Sequence, residues 1–307
     1  MTHTVFIDGA VGTTGLEIVE RLAARSEFEL ILLDEAQRKD AAARRDAYHA
    51  ADFAVLCLPD DAAREAVALA GGAKVRIIDA SSAHRVADGW TYGFPELVGR
   101  SKIAEADRVS NPGCYSTGFL ALLAPLVRNA LLPSDWPYVC HAVSGYSGGG
   151  KALIARFEDD PDIAFRDYGL TLGHKHVPEM QEYAGLAHPP VFAPAVIPAH
   201  RGMVVEVPLH LAQMHRAAPV DGLRDCLTDF YGQSEVVKVY ADSPDELLLR
   251  ASMAPSDKLE LWVFGARDGT QARLVARLDN LGKGASGAAV QSLNLMAGLP
   301  ETAGLCL

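Results

Sequence analysis

Seven residues near the amino end, GAVGTTG at 9–15, stand between a strand-like run, TVFID, and an amphipathic run, LEIVERL. Glycine lets the chain turn tightly and lets its backbone approach a phosphate. A helix opening there adds unpaired N–H groups and the positive end of its dipole. The pattern then repeats. FELILLD and AVLCLP read as strands, DDAAREAVALA as a helix and KVRIIDAS as a further strand. Strands alternating with helices need parallel crossovers, so the first third of the chain is predicted to be α/β, a doubly wound Rossmann-type parallel sheet. Its first turn, of the form GxxGxxG, predicts a nucleotide site; the alternative is a plain tight turn. Asp34, 19 residues past Gly15, stands where an acid would take the ribose hydroxyl of NAD. Arg38 and Lys39 follow at once and would hold the 2′-phosphate of NADP instead, so these residues leave the cofactor open.

The middle of the chain is built differently. YVCHAVSG, VFAPAVIP, GMVVEVPLHL, EVVKVYA and LELWVFGAR are strand-like and closely spaced. An Asp-Gly turn signal introduces one more strand in DGTQARLVARLDN. This predicts a second α+β domain with a mixed sheet, followed by a helix in GKGASGAAVQSLNLMAGL. With 28 Lys and Arg against 39 Asp and Glu, the net charge of −11 argues against nucleic acid as a partner. No apolar run approaches the ~18 residues of a membrane span, and the first residues lack a signal-peptide pattern. The five cysteines, at 57, 114, 140, 226 and 306, show no CxxC pair, so a reducing cytoplasm is the expected location.

Five further segments carry chemistry. In VSNPGCYSTGFLALLAP, Asn111 suits a helix N-cap and Pro112 a first turn, and the run from Thr117 to Leu126 reads as a buried helix. Cys114 then lies near a helix N-terminus, where a thiolate nucleophile is favoured; the alternative is an inert buried thiol. VSGYSGGGKA contains most of a P-loop but has Ala152 where Ser or Thr should hold magnesium, so an NTPase is disfavoured. Its glycines, serines and Lys151 could still cradle one phosphate. GHKHVPEM offers His174, His176 and Glu179. They lack a third cluster for a metal site, but suit acid–base work beside a thiol, with the Glu orienting a His. Arg201 in PAHRGM could clamp a carboxylate. Asn280 in DNLGKGASGAAVQ could meet an amide such as nicotinamide, or simply belong to a capped helix.

Taken together, GAVGTTG, YGFPEL, SNPGCYSTG, SGYSGGGK, GHKHVPE and DNLGKGASGAAVQ resemble, in order and over nearly the whole chain, the shorter subtype of N-acetyl-gamma-glutamyl-phosphate reductases. The glycine loops are shared with aspartate-semialdehyde dehydrogenases. The resemblance implies an NADP-dependent enzyme of arginine biosynthesis that reduces an acyl phosphate to an aldehyde through a thioester on Cys114. It implies proton handling or substrate binding by His174, His176 and Glu179. Cofactor contacts are implied at Gly9, Gly12, Thr13, Thr14, Gly15, Arg38, Lys39, Pro59, Ser81, Ser144, Gly145 and Asn280. Substrate contacts are implied at Asn111, Ser147, Lys151 and Arg201. No metal is implied, and the implied assembly is a homo-oligomer, a dimer or tetramer. The implied domains are 1–113, completed by the carboxy-terminal helix in 282–307, and 114–281. The chain departs from the family pattern at His200, before Arg201, and at Leu122. The rival readings are an aspartate-semialdehyde dehydrogenase-like enzyme and a non-catalytic NADP-binding regulator.

Overall fold

A computed structural model describes residues 2–307. The chain divides into two compact units. One runs to Pro112 and takes in Ala285–Leu305; the other is Gly113–Gly284 with Cys306–Leu307.

The first unit holds β1 (His3–Asp8), α1 (Thr13–Ala23), β2 (Phe28–Ile31), α2 (Ala41–Ala50), β3 (Phe53–Leu56), α3 (Asp60–Leu69) and β4 (Arg76–Asp79). Then come β5 (Thr91–Tyr92), α4 (Pro95–Val98), α5 (Arg100–Glu105) and β6 (Arg108–Ser110). Six parallel strands lie in the order β2-β1-β3-β4-β6-β5. Alternate strand residues feed two cores, as the pleat requires. Val5, Ile7, Val55 and Ile78 pack with Ile18 and Leu22 of α1 and with Val290 and Leu293 of the carboxy-terminal helix. Phe6, Ala54, Leu56 and Ile77 pack with Ala47 and Tyr48 of α2 and Ala63 and Ala66 of α3. The order reverses between β1 and β3, the place where open α/β sheets take ligands at their carboxyl ends.

The second unit holds α6 (Cys114–Arg128), β7 (Val139–Gly145), α7 (Gly150–Asp159), β8 (Arg166–Asp167), α8 (Val177–Ala184), β9 (Val191–Ile197) and β10 (Met203–Leu209). It continues with α9 (Val220–Tyr231), β11 (Val237–Val239), β12 (Leu259–Gly265) and β13 (Ala272–Leu278). Its seven-stranded sheet runs β11-β12-β13-β10-β7-β9-β8, with parallel pairs at β11–β12 and β7–β9 and antiparallel pairs elsewhere. This is the mixed sheet that the closely spaced strands predict. Gly118 lets α6 lie close on the sheet: a Cβ there would come within 2.7 Å of Val205. A π-helical turn, Gly282–Ser286, precedes α10 (Gly287–Met296), which belongs to the first unit. Among the described residues, no helix is long and apolar enough to cross a membrane.

Two local expectations are corrected. The N-cap of α6 is Gly113, not Asn111, and the helix begins at Cys114, three residues before the apolar run. Asn111 is occupied elsewhere: its Nδ2 donates to the Ala285 carbonyl, and its own carbonyl accepts from Arg85. The strand expected over EVVKVYA shortens to Val237–Val239.

Candidate active site

In the first unit, the predicted residues gather at the carboxyl ends of the parallel strands. Gly9, Gly12, Thr13, Thr14 and Gly15 form the turn from β1 into α1. Gly9 has φ +89°, and a Cβ there would lie 2.3 Å from the Cys57 carbonyl oxygen. A Cβ on Gly15 would lie 2.4 Å from the Gly9 oxygen. These two positions demand glycine. Gly12 caps α1 without any side-chain bond, and no acid occupies its first turn, so the turn keeps its affinity for an anion. Thr13 Oγ1 and Asn111 Oδ1 are buried without a hydrogen-bond partner among the described residues. Pro59 caps α3 after β3. Ser81, after β4, donates its N–H and its hydroxyl to Asp79, which also meets His84 Nδ1 at 2.6 Å.

Two neighbours of the turn were not predicted. Asp8, at the end of β1, accepts from Arg44 Nε at 3.0 Å and Nη2 at 2.9 Å and from the Tyr48 hydroxyl at 2.5 Å, all deep in the unit. Cys57 backs Gly9, and its thiol is pushed up to about 12, first by burial and then by the carboxylates of Asp79 and Asp8. After β2, Oδ1 of the exposed Asp34 accepts the N–H groups of Ala36 and Gln37, each at 2.9 Å. Arg38 and Lys39 follow in a 3-10 turn; Arg38 is half-buried against Glu35, and Lys39 is exposed.

In the second unit, Cys114 is the first residue of α6 and is partly accessible. The preceding Gly113 N–H donates to Glu179 Oε2 at 3.1 Å, and Glu179 is 1% exposed. Gly284 backs the cysteine: a Cβ on it would come within 2.9 Å of the Cys114 Cβ and 3.0 Å of the Asp279 carbonyl oxygen. The rings of His174 and His176 cross edge-on, with centroids 4.7 Å apart, and the His176 N–H donates to His174 Nδ1 at 3.2 Å. That bond makes Nδ1 the acceptor, so in the neutral ring Nε2 of His174 carries the proton. Tyr115 and Phe192 pack against both imidazoles or His174 at 5.0–6.2 Å. The Tyr115 hydroxyl donates to the Ala195 carbonyl, and burial raises its pKa far above the usual phenol value. Thus Cys114, His174, His176 and Glu179, separated by as many as 65 positions, are assembled from α6 and the entry to α8.

A second cluster joins the strand ends. Asn280 accepts the Gly202 N–H at 2.8 Å and donates to the Ser147 hydroxyl at 2.9 Å, so its amide braces two loops. Ser144 and Gly145 end β7, where a Cβ on Gly145 would strike the Ala199 and His200 carbonyls at 2.7 and 2.8 Å. Arg201 donates to Asp279 at 2.9 Å, and that carboxylate, fully buried, also accepts the N–H groups of Ser256 and Leu281. The Asp279 carboxylate reaches Arg201 from 78 residues away, a pairing that spacing along the chain does not reveal. Lys151 is exposed at the start of α7. Among the described residues no group of His, Cys, Asp and Glu is arranged to hold a metal ion.

The chain resembles known proteins over nearly its whole length. Residues 4–106 match the semialdehyde dehydrogenase NAD binding domain, and residues 114–280 match the semialdehyde dehydrogenase dimerisation domain. The chain is 48% identical to N-acetyl-gamma-glutamyl-phosphate reductase 2 of Nostoc sp. over 318 aligned residues, covering 98% of each protein. It is 48% identical to the N-acetyl-gamma-glutamyl-phosphate reductase of Rhizobium meliloti, covering 96% of this chain and 99% of that one. Among solved structures, aspartate semialdehyde dehydrogenase II from Vibrio cholerae, complexed with ASA, shares the fold at a TM-score of 0.73 and 17% identity, covering 97% and 99% of the two chains. The Candida albicans aspartate semialdehyde dehydrogenase with NADP matches at a TM-score of 0.68 and 14% identity, over 97% and 99%.

Proposed function

The chain belongs to the N-acetyl-gamma-glutamyl-phosphate reductase family, and from that premise we propose how its own residues perform the family's reaction, the NADPH-dependent reduction of N-acetyl-gamma-glutamyl phosphate to N-acetylglutamate 5-semialdehyde in arginine biosynthesis. The observation that carries the reading is Cys114 at the first position of α6, with Glu179 beneath its N-cap and the two histidines packed on the neighbouring Tyr115. The aspartate-semialdehyde dehydrogenase likeness, at 17% identity, speaks for the fold alone.

The glycine turn fits a dinucleotide. Its two obligatory glycines bring bare backbone to the mouth of α1, and the partnerless Thr13 hydroxyl can donate to a phosphate oxygen. Gly9, Gly12, Thr13, Thr14 and Gly15 would hold the pyrophosphate, with Pro59 and Ser81 lining the neighbouring strand ends. Arg38 and Lys39 would hold the 2′-phosphate, with one oxygen of Asp34 tied to its own loop. Ser144 and Gly145 are assigned to the nicotinamide end, and Asn280 to bracing the loops that carry them. When bound, NADPH supplies the hydride that brings the acyl group to the aldehyde level.

The chain's own part begins at sulfur. The Cys114 thiolate attacks the acyl carbon, the C–O bond to phosphate breaks, and inorganic phosphate leaves with the bonding pair. The uncapped N-terminus of α6 favours the thiolate and the oxyanion formed on attack. His174, with its proton on Nε2, donates a hydrogen bond to that oxygen, and His176 takes the thiol proton beforehand. After reduction the carbon–sulfur bond breaks, the carbonyl re-forms, and Cys114 is again a thiolate. Glu179 fixes the Gly113–Cys114 backbone. Ser147 and the exposed Lys151 bind the phosphate, and Asn111 Oδ1 accepts an N–H of the ligand.

The assembly would be a homo-oligomer built on the face of the seven-stranded sheet that carries Val204, Glu206, Trp262, Arg273 and Val275, since α6 covers the opposite face at Val205 and Ala276. The test of the reaction is the reverse assay. The enzyme should reduce NADP with N-acetylglutamate semialdehyde only when phosphate is present, and not with aspartate semialdehyde; Cys114→Ser should be silent. Phosphate-independent turnover, or an active serine variant, would contradict the reading.

A further inference from the structure

The proposed reaction leaves one charge of the substrate unanswered, its free α-carboxylate. Arg201 already sits on a carboxylate, fully buried Asp279, so its charge is balanced inside the protein. Arg166 is different. It is half-buried on the edge strand β8, opposite Val196 of β9, and among the described residues no ion pair or hydrogen bond engages its guanidinium. Residues two apart in extended chain share a face, and Arg166 lies over the ring of Tyr168 with its Cζ 4.5 Å from the centroid. Tyr168 in turn meets His174 edge-on at 5.6 Å, and His174 meets His176 at 4.7 Å. One aromatic ring therefore separates this guanidinium from the imidazole pair.

The contact has a chemical consequence. A guanidinium held over a ring by cation–π attraction spends none of its N–H groups on that ring, and its planar fork can grip a carboxylate with two parallel bonds. The Tyr168 phenol is pushed up to about 12, chiefly by burial, and so stays neutral at pH 7; it feels both the Cys114 and the Arg166 charges. We infer that Arg166 binds the free α-carboxylate of the acyl-phosphate substrate and thereby selects an acyl group derived from an amino acid. This rests on the reaction proposed for Cys114 and the two histidines.

The substrate's other anion is the departing phosphate, and the reverse direction separates the two because aldehyde and phosphate are distinct reactants there. Arg166→Met should raise KM for N-acetylglutamate semialdehyde roughly tenfold to a hundredfold, the loss expected for a charge-assisted pair, while KM for phosphate is unchanged. Arg166→Lys should recover part of the loss. With 4-acetamidobutanal, which lacks the carboxylate, wild type and Arg166→Met should be alike. A rise in KM for phosphate instead, an unchanged KM for the semialdehyde, or an equal loss on 4-acetamidobutanal would overturn the inference. A wild type inactive on N-acetylglutamate semialdehyde would overturn the underlying reaction, and this inference with it.

Discussion

Replacing Gly284 with alanine should damage catalysis far more than folding. The added Cβ would start 2.9 Å from the Cys114 Cβ and 3.0 Å from the Asp279 carbonyl oxygen. Carbon atoms in contact settle at about 3.5–4.0 Å, so one side must retreat by roughly half an ångström to one ångström. The oxygen belongs to Asp279, whose backbone accepts the Gly284 N–H and whose carboxylate is tied to Arg201, Ser256 and Leu281. The N-terminal end of α6 is therefore the part that gives, and the Cys114 sulfur moves with it. Overpacking of this kind costs ~1–3 kcal/mol of stability, a fall in Tm of about 2–4 °C per kcal/mol. A misplacement of about 1 Å at a reacting group costs on the order of 100-fold in rate. Steady-state kinetics in the reverse direction, with a thermal melt of the same sample, measure both. A Gly284→Ala enzyme with wild-type kcat would show that the sulfur is not held against this glycine.

Four other outcomes are expected. Gly9→Ala, which must enter the Cys57 carbonyl at 2.3 Å from a backbone with φ +89°, should abolish NADP binding measured by fluorescence titration; retained binding would refute the cradle. Arg38→Glu with Lys39→Glu should lower kcat/KM for NADP far more than for NAD, and equal losses would make both residues bystanders. Arg44→Met leaves Asp8, 4% exposed, without its cation and should lose roughly 3–5 kcal/mol in urea unfolding; a loss within error would mean that Tyr48 alone suffices. A thiol with its pKa raised to about 12 is almost wholly protonated at pH 8, so Cys57 should resist iodoacetamide in the native protein, and reactivity should rise only at far higher pH. Rapid labelling of Cys57 at pH 8, read by peptide mapping, would refute this.

What could be read from sequence was whatever local patterning decides. Apolar runs and glycine punctuation marked β1 to β4 and the turn at residues 9–15, and the Leu and Ala run after Cys114 marked α6. Motif order marked the family. Elements of two to six residues, such as β5, β8, α4 and α5, have too few positions for a period to emerge. Asn111 was misread as a cap because its partners, Ala285 and Arg85, are remote in sequence. The same distance hides Asp279 behind Arg201 and Asp8 behind Arg44: each pair exists only once the sheets have formed.

The central claim is that Cys114 carries the acyl group. The most direct measurement is the intact mass of the enzyme after mixing with N-acetyl-gamma-glutamyl phosphate in the absence of NADPH, followed by peptide mapping. The account predicts one added N-acetylglutamyl group on Cys114, discharged when NADPH is supplied, and no adduct on Cys114→Ala. An unmodified wild-type enzyme that nonetheless forms aldehyde at once on addition of NADPH, or an adduct on another residue, would contradict it.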